Sequence, residues 1–433
     1  MKIATSDQSN LILTIAEVLK DARVSLAGRI MFGNTKNLHA TIRSRIGEDL
    51  DNKIAEVCGE LGLIDFLRFT IARDILASGK PGKRGPLSSL EGYQDSLAVA
   101  RDLVGRVENL PQKLRICSPL PKSLSTLLFV GTDDLEIGPG TRIIRSSILH
   151  EYLDTEIFSE DLRKAIVRKV DITQLPKKEC HYICTWHAGF IGNFFGNHSV
   201  QEHLDKVRAF QGALLAVDVM MEDGFFDNYP QHAILVNDIS SGQNGPLVYT
   251  DTVDSDINYF YENFDVSLDY YRSISEDDSE EGEGEFNEGK SDILDDSEIK
   301  LQSRAIEALK TTFGQSDHSR RLFTASLWLF RSNVSTRLLD VILESTIAIE
   351  VLLGDRDASE GLGLTNLLAN RCAILLGKDA SERNDSIDEF KSIYSIRSQI
   401  VHTGLHKMTK KANEASLSSR VLAKRILEKE LNL

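Results

Sequence analysis

LLDVILESTIAIEVLLG, residues 338–354, decides how the C-terminal third of this sequence folds. Leu339, Ile342, Leu343, Thr346 and Ile349 recur every three or four residues, which puts them in one stripe on an α-helix and makes this the central core helix of a bundle. Helical periodicity continues on both sides. From residue 300 on, the spacing predicts helices over about 298–313, 318–331, 335–353, 361–377, 385–403 and 412–431, with breaks at Gly314, Gly354, Gly377 and Gly404. The last 133 residues therefore read as a compact helical bundle.

The fifth of these helices closes on IYSIRSQIVHTG, residues 393–404. Ile393, Ile396 and Ile400 share a face, Arg397 flanks it, and His402 points nearly opposite. On a regular helix Arg397 and His402 are about 140° apart. They converge on one phosphate only if the helix ends near Gly404 and lets His402 swing round, or if a second copy of the chain completes the site. Cations in a last turn are also favoured by the helix dipole, so Arg-x4-His alone says little. Indeed Arg145 and His150 repeat the spacing in a different context, after the β-branched run TRII.

Working outward, residues 9 to about 78 and 87–108 carry helical apolar spacing, and three prolines in PQKLRICSPLPKSL mark a boundary near residue 120. The loop GKPGKRGP, residues 79–86, is basic, but its order is not that of a phosphate-binding loop. Between there and residue 270, short runs such as TLLFVG, TRIIRSSIL, HYICTW, GALLAVDVMM, HAILVNDI and PLVYTDTV read as strands. The fold class is thus multidomain α+β. A helical N-terminal region spans 1–120, a strand-containing sensor or regulatory domain 121–270, an acidic disordered linker 271–300, and an all-α bundle 301–433.

Charge follows this division. The net charge is −15, yet residues 276–298 hold twelve acidic groups against Lys290 alone, and residues 301–433 hold 19 Lys and Arg against 16 Asp and Glu. The bundle is mildly basic, and the acidic segment is either solvated or a mimic of nucleic acid that occupies it. The five cysteines, odd in number and sparse, fit reduced thiols, and no apolar run approaches the ~18 residues that cross a bilayer. Both indicate a cytoplasmic protein without a membrane partner.

The middle region also contains ECHYICTWHAGFIGNFFGNHSVQEH. Cys180, Cys184, His198 and His203 have the order of a structural zinc site, one residue longer than the usual finger, with His181 and His187 as alternative ligands. The competing reading is ordinary buried Cys and His in a strand-rich core.

The helices LLDVILESTIAIEVLLG and LLANRCAILLG followed by YSIRSQIVH, in that order and separation, resemble the ApeA-like branch of the HEPN superfamily over residues about 300–405. The resemblance implies a helical homodimer or higher homo-oligomer, often an RNase of antiphage or toxin systems set off by a phage-derived trigger. It implies that Arg397 and His402 are the Arg and His of the R-x4-6-H motif, with Glu350 at a recurrent acidic position orienting the arginine. Ser398 takes the polar position after the arginine, where Asn, Asp or His is common in the superfamily.

The implied activity is metal-independent endoribonuclease cleavage, with no cofactor required. The substrate 2'-hydroxyl would attack the adjacent phosphate, with His402 as general acid or base and Arg397 stabilising the phosphate charge. Lys407, Lys410, Lys411, Arg420, Lys424 and Arg425 would form an electrostatic track for RNA, or else a solvated helix face. The alternatives are a HEPN module that binds RNA, nucleotide or a protein partner without cutting, and a zinc-stabilised adaptor.

Overall fold

The computed structural model describes residues 1–25, 29–33, 35–77, 84–121, 123–125, 131–151, 180–190, 198–222, 233–239, 247–252, 254–266, 296–354, 363–404 and 409–432. The N-terminal part consists of α1 (Thr5–Lys20), the short strands β1 (Arg23–Val24) and β2 (Ile30–Met31), α2 (Thr35–Ile46), α3 (Glu48–Cys58), α4 (Leu63–Ala77), β3 (Gly85–Pro86) and α5 (Ser96–Glu108). The Asp95 side chain caps α5 by accepting from the Leu97 and Ala98 amides at 2.9 and 3.0 Å, so this helix starts later than its apolar spacing suggests. These elements enclose an apolar core built around Leu11, Ile15, Ile54, Phe66 and Val107, which Phe190 also joins, its ring 5.4 Å from that of Phe66.

A six-stranded antiparallel sheet follows, made of β4 (Gln112–Pro119), β5 (Asp134–Gly138), β6 (Thr141–Arg145), β7 (His181–Gly189), β9 (Ala233–Asp238) and β10 (Leu247–Thr252). Its order is β10-β9-β4-β7-β6-β5. Interleaved with it are α6 (Ser146–Glu151), α7 (His198–Ala216), β8 (Met220–Glu222), α8 (Ser255–Asn263) and β11 (Phe264–Val266), the last pairing with β8.

Here the sequence expectations are corrected: the region 1–120 read as helical holds β1, β2, β3 and β4, the last a strand of the large sheet, and Ser146–Leu149 of TRIIRSSIL lie in the helix α6. GALLAVDVMM is not a strand: Gly212–Ala216 form the last turn and a half of α7, and only its end enters β8. The helix packs between the sheet and the bundle, so every residue from Val207 to Ala216 is buried. A helix that is apolar all round shows no 3.6-residue period and reads like a core strand.

The C-terminal part comprises α9 (Asp296–Thr312), α10 (Asp317–Val334), α11 (Leu338–Leu353), α12 (Leu364–Leu376), α13 (Ala380–Thr403) and α14 (Lys410–Leu431). Their bounds follow the predicted breaks, and local chemistry sets several of the starts. Ser316 accepts from the Ser319 amide at 2.9 Å, Asp379 from the Glu382 amide at 3.0 Å, and Thr409 from the Ala412 amide at 3.1 Å. Residues 271–295 of the acidic segment lie outside the described residues, and 296–300 are the first turn of α9.

One continuous apolar core runs from the sheet (Ile116, Ile183, Val236) through α7 (Val207, Phe210, Leu214) into the bundle (Leu329, Phe330, Ile349, Phe390, Leu422). A separate small cluster of Leu339, Ile342, Ile396, Ala412 and Ala415, with Ile400 against it, pins the end of α13 to the starts of α11 and α14. Among the described residues, no helix is long and apolar enough to cross a membrane.

Candidate functional site

Arg397 leaves the buried face of α13 beside Ile393 and Ile396 and meets α11. Its guanidinium lies 3.1 Å from the Glu350 carboxylate, and both side chains are 22% exposed. Tyr394, one turn earlier, places its ring 5.3 Å from the guanidinium carbon. Burial pushes the Tyr394 hydroxyl up to about 12, the Glu350 charge adds to this, and Arg397 opposes it. The sequence reading included Glu350 but missed Tyr394, although the i,i+3 spacing from Arg397 was a usable signal.

His402 lies in the last turn of α13, exposed to solvent, next to Val401, which is 50% exposed. The helix ends where the glycine predicted. Gly404 takes the left-handed conformation at φ 65°, and its amide returns to the Gln399 carbonyl. The helix stays regular through Thr403, so within one chain the two motif residues occupy different faces, about 140° apart about the axis. The fold thus joins Arg397 to Glu350 and Tyr394 and leaves His402 open, with Ser398 half-buried between them.

The expected RNA track is shorter in the fold than in the sequence. Arg420 is half-buried and donates to the Ser332 carbonyl at 2.8 Å, Lys424 pairs with Asp218, and Arg425 lies 3.3 Å from Glu389. Burial also lowers the Arg420 pKa. Lys410 and Lys411 project from the start of α14, Lys410 with only a loose 3.9 Å approach to Glu414, and Lys407 lies outside the described residues. The second Arg-x4-His is built differently: Arg145 ends β6 and pairs with Asp133 at 3.2 Å.

Cys180, Cys184, His198 and His203 are not gathered. Alternation along β7 sends Cys184 to one face of the sheet, while Thr185 on the other face meets His203 of α7. Cys180 Sγ lies 3.2 Å from the Leu120 carbonyl oxygen. His203 is buried and bonded on both nitrogens, Nε2 to Ser118 Oγ and Nδ1 to Thr185 Oγ1, each at 2.8 Å. Thr185 Oγ1 lies 2.8 Å from His187 Nε2, His187 Nδ1 lies 2.9 Å from Glu202, and Glu202 reaches exposed His198 at 3.1 Å.

His203, His187 and His198 therefore form a hydrogen-bonded file from the sheet to the surface, while His181 Nε2 lies 3.1 Å from the Thr132 carbonyl oxygen instead. Among the described residues, no group of three or more metal-ligating side chains is arranged to hold an ion.

The fold and site define a mixed α+β protein in which a helical bundle presents a half-buried Arg–Glu–Tyr cluster beside an exposed histidine at a helix end. Comparisons with protein-family models, curated proteins and solved structures gave no match to this chain.

Proposed function

We propose that residues 301–433 act as a HEPN-type, metal-independent endoribonuclease, with Arg397 and His402 as its catalytic residues and a defence or toxin role set off by a phage-derived trigger. The observation that carries this reading is the placement of Arg397. Its planar fork is held by Glu350 at 3.1 Å on the flank of a packed helix, a preset orientation for gripping a phosphate. His402, exposed in the turn that Gly404 ends, is free to reach a bound RNA as general acid or base.

Because the two residues diverge by about 140° on one helix, the reading requires a homodimer in which motifs from two copies share a cleft. Lys410 and Lys411 would draw the RNA backbone towards it.

The test is cleavage of cellular RNA by purified protein in EDTA, read by sequencing of ends. Wild type should leave 2',3'-cyclic phosphate and 5'-hydroxyl termini, and Arg397→Ala and His402→Ala should each lower the rate at least about 100-fold, the usual scale for losing an acid–base or oxyanion partner. Intact RNA under every trigger tried, or cleavage that survives both substitutions, would sink the assignment.

The same ion pair favours a second reading, a bundle that binds RNA, nucleotide or a partner protein without cutting. A guanidinium paired with Glu350 is also a plain packing contact. Glu350→Gln separates the two: a nuclease loses turnover with little change in RNA affinity, whereas a binding module changes in affinity alone.

A further inference from the structure

We propose that Cys117 and Cys184 are a redox-reactive pair that closes into a disulfide across β4 and β7 when the chain meets a peroxide. The two residues are directly opposite in the β4–β7 register. The ladder's phase settles which kind of opposite pair this is. The Leu120 amide donates to the His181 carbonyl at 2.8 Å, so Leu120 and His181 form a hydrogen-bonded pair, and alternation three residues along makes Cys117 and Cys184 a non-hydrogen-bonded one.

In such pairs the Cα atoms stand about 4.5 Å apart, at the close end of the range that a disulfide bridges. The two side chains also share a face of the sheet, away from α7. The contact between the thiols registers in the chemistry of Cys184, whose pKa is raised first by burial and next by Cys117. Arg115, two residues along β4 on the same face, is the positive charge that favours a thiolate there.

Other pairings are poorly placed. Cys58 belongs to the N-terminal core and Cys372 to α12, and Cys180 precedes Cys184 by four residues, about 13 Å of extended chain. Both members of the pair are fully buried, so the reaction waits on local opening and is slow.

The chemistry balances with hydrogen peroxide as oxidant. One thiol loses its proton and its sulfur attacks a peroxide oxygen: an S–O bond forms, the O–O bond breaks, and the departing oxygen takes the proton and leaves as water. The second sulfur then displaces the sulfenic oxygen, forming S–S and breaking S–O, and a second water leaves. Two thiols are oxidised by two electrons and one peroxide is reduced to two waters.

The full chain, incubated with hydrogen peroxide, is alkylated, digested without reduction and sequenced by mass spectrometry. The expected result is loss of two of the five alkylatable thiols, a peptide pair joining Cys117 to Cys184, and recovery of both thiols with dithiothreitol. Cys117→Ser and Cys184→Ser should each abolish the crosslink. The assignment itself is read on the wild-type chain, so it does not depend on either variant folding. Persistence of all five thiols at peroxide doses that oxidise the urea-unfolded chain, or a linked peptide joining any other two cysteines, overturns the proposal.

Discussion

At the scale of single residues, His203 states most clearly what burial does. Fully enclosed, it is held well below the ordinary imidazole pKa, first by desolvation and then by the charges of His187 and Lys206. His187 is lowered as well, by burial first and Lys206 second, with Glu202 opposing. Both therefore take up a proton at lower pH when folded than in the unfolded chain, where they protonate near about pH 6.5. Below that point the unfolded state binds more protons, so stability falls as the pH drops and is flat above it.

Each histidine removes up to about 1.4 kcal/mol per pH unit within this window. Urea unfolding at pH 7.5, 6.5 and 5.5 should show the loss, and His203→Asn should make it shallower, leaving the part that His187 contributes. A wild-type profile level across the range would refute the argument. Asp74 and Glu344, raised by burial, act with the opposite sign nearer the carboxyl range, so the histidine effect is read above about pH 5.

At the scale of elements, the bundle was largely legible. Gly314, Gly354, Gly377 and Gly404 each lie at a helix boundary, and the Leu339–Ile349 stripe lies on a helix whose residues are mostly buried. What escaped was whatever tertiary contact decides. The helical run Gly212–Ala216 read as a strand because both of its sides are covered, and the thiols and imidazoles of one motif proved to face opposite sides of a sheet, which spacing along the chain cannot report. The Arg397–Glu350 contact joins residues 47 apart in sequence, and composition carries no trace of it beyond the resemblance.

The α7–α10 crossing gives this scale its own test. A Cβ added to Gly212 would lie 1.9 Å from the Ser326 carbonyl oxygen, a backbone atom with nowhere to go. Gly212→Ala should push the helices apart and cost about 2–4 kcal/mol despite alanine's better helix propensity. Denaturant midpoints would measure it, and an unchanged or raised midpoint would mean that the crossing is looser than described.

At the scale of the whole molecule, the shared core has a thermodynamic reading. Because sheet, α7 and bundle bury one another's apolar surface, residues 112–119 and 181–189 should lose amide protection together with 317–353, in a single cooperative step. The N-terminal core, a cluster distinct from this one and joined to the sheet region through Phe190, should open in a step of its own. Hydrogen exchange followed through a urea series distinguishes this from a sheet that melts before the helices. The dimer that the proposed nuclease requires should appear as a concentration-dependent mass in sedimentation, and a strict monomer at every concentration would leave Arg397 and His402 unable to share a phosphate.

The small cluster of Leu339, Ile342, Ile396, Ala412 and Ala415 carries one last consequence. It fastens the motif-bearing end of α13 like a latch, apart from the main core, so loosening it should release that end while the rest of the protein holds. Ile342→Ala, which slackens the latch, should speed hydrogen exchange at residues 396–403 far more than at 386–394, making the motif's readiness adjustable independently of whether the protein is folded.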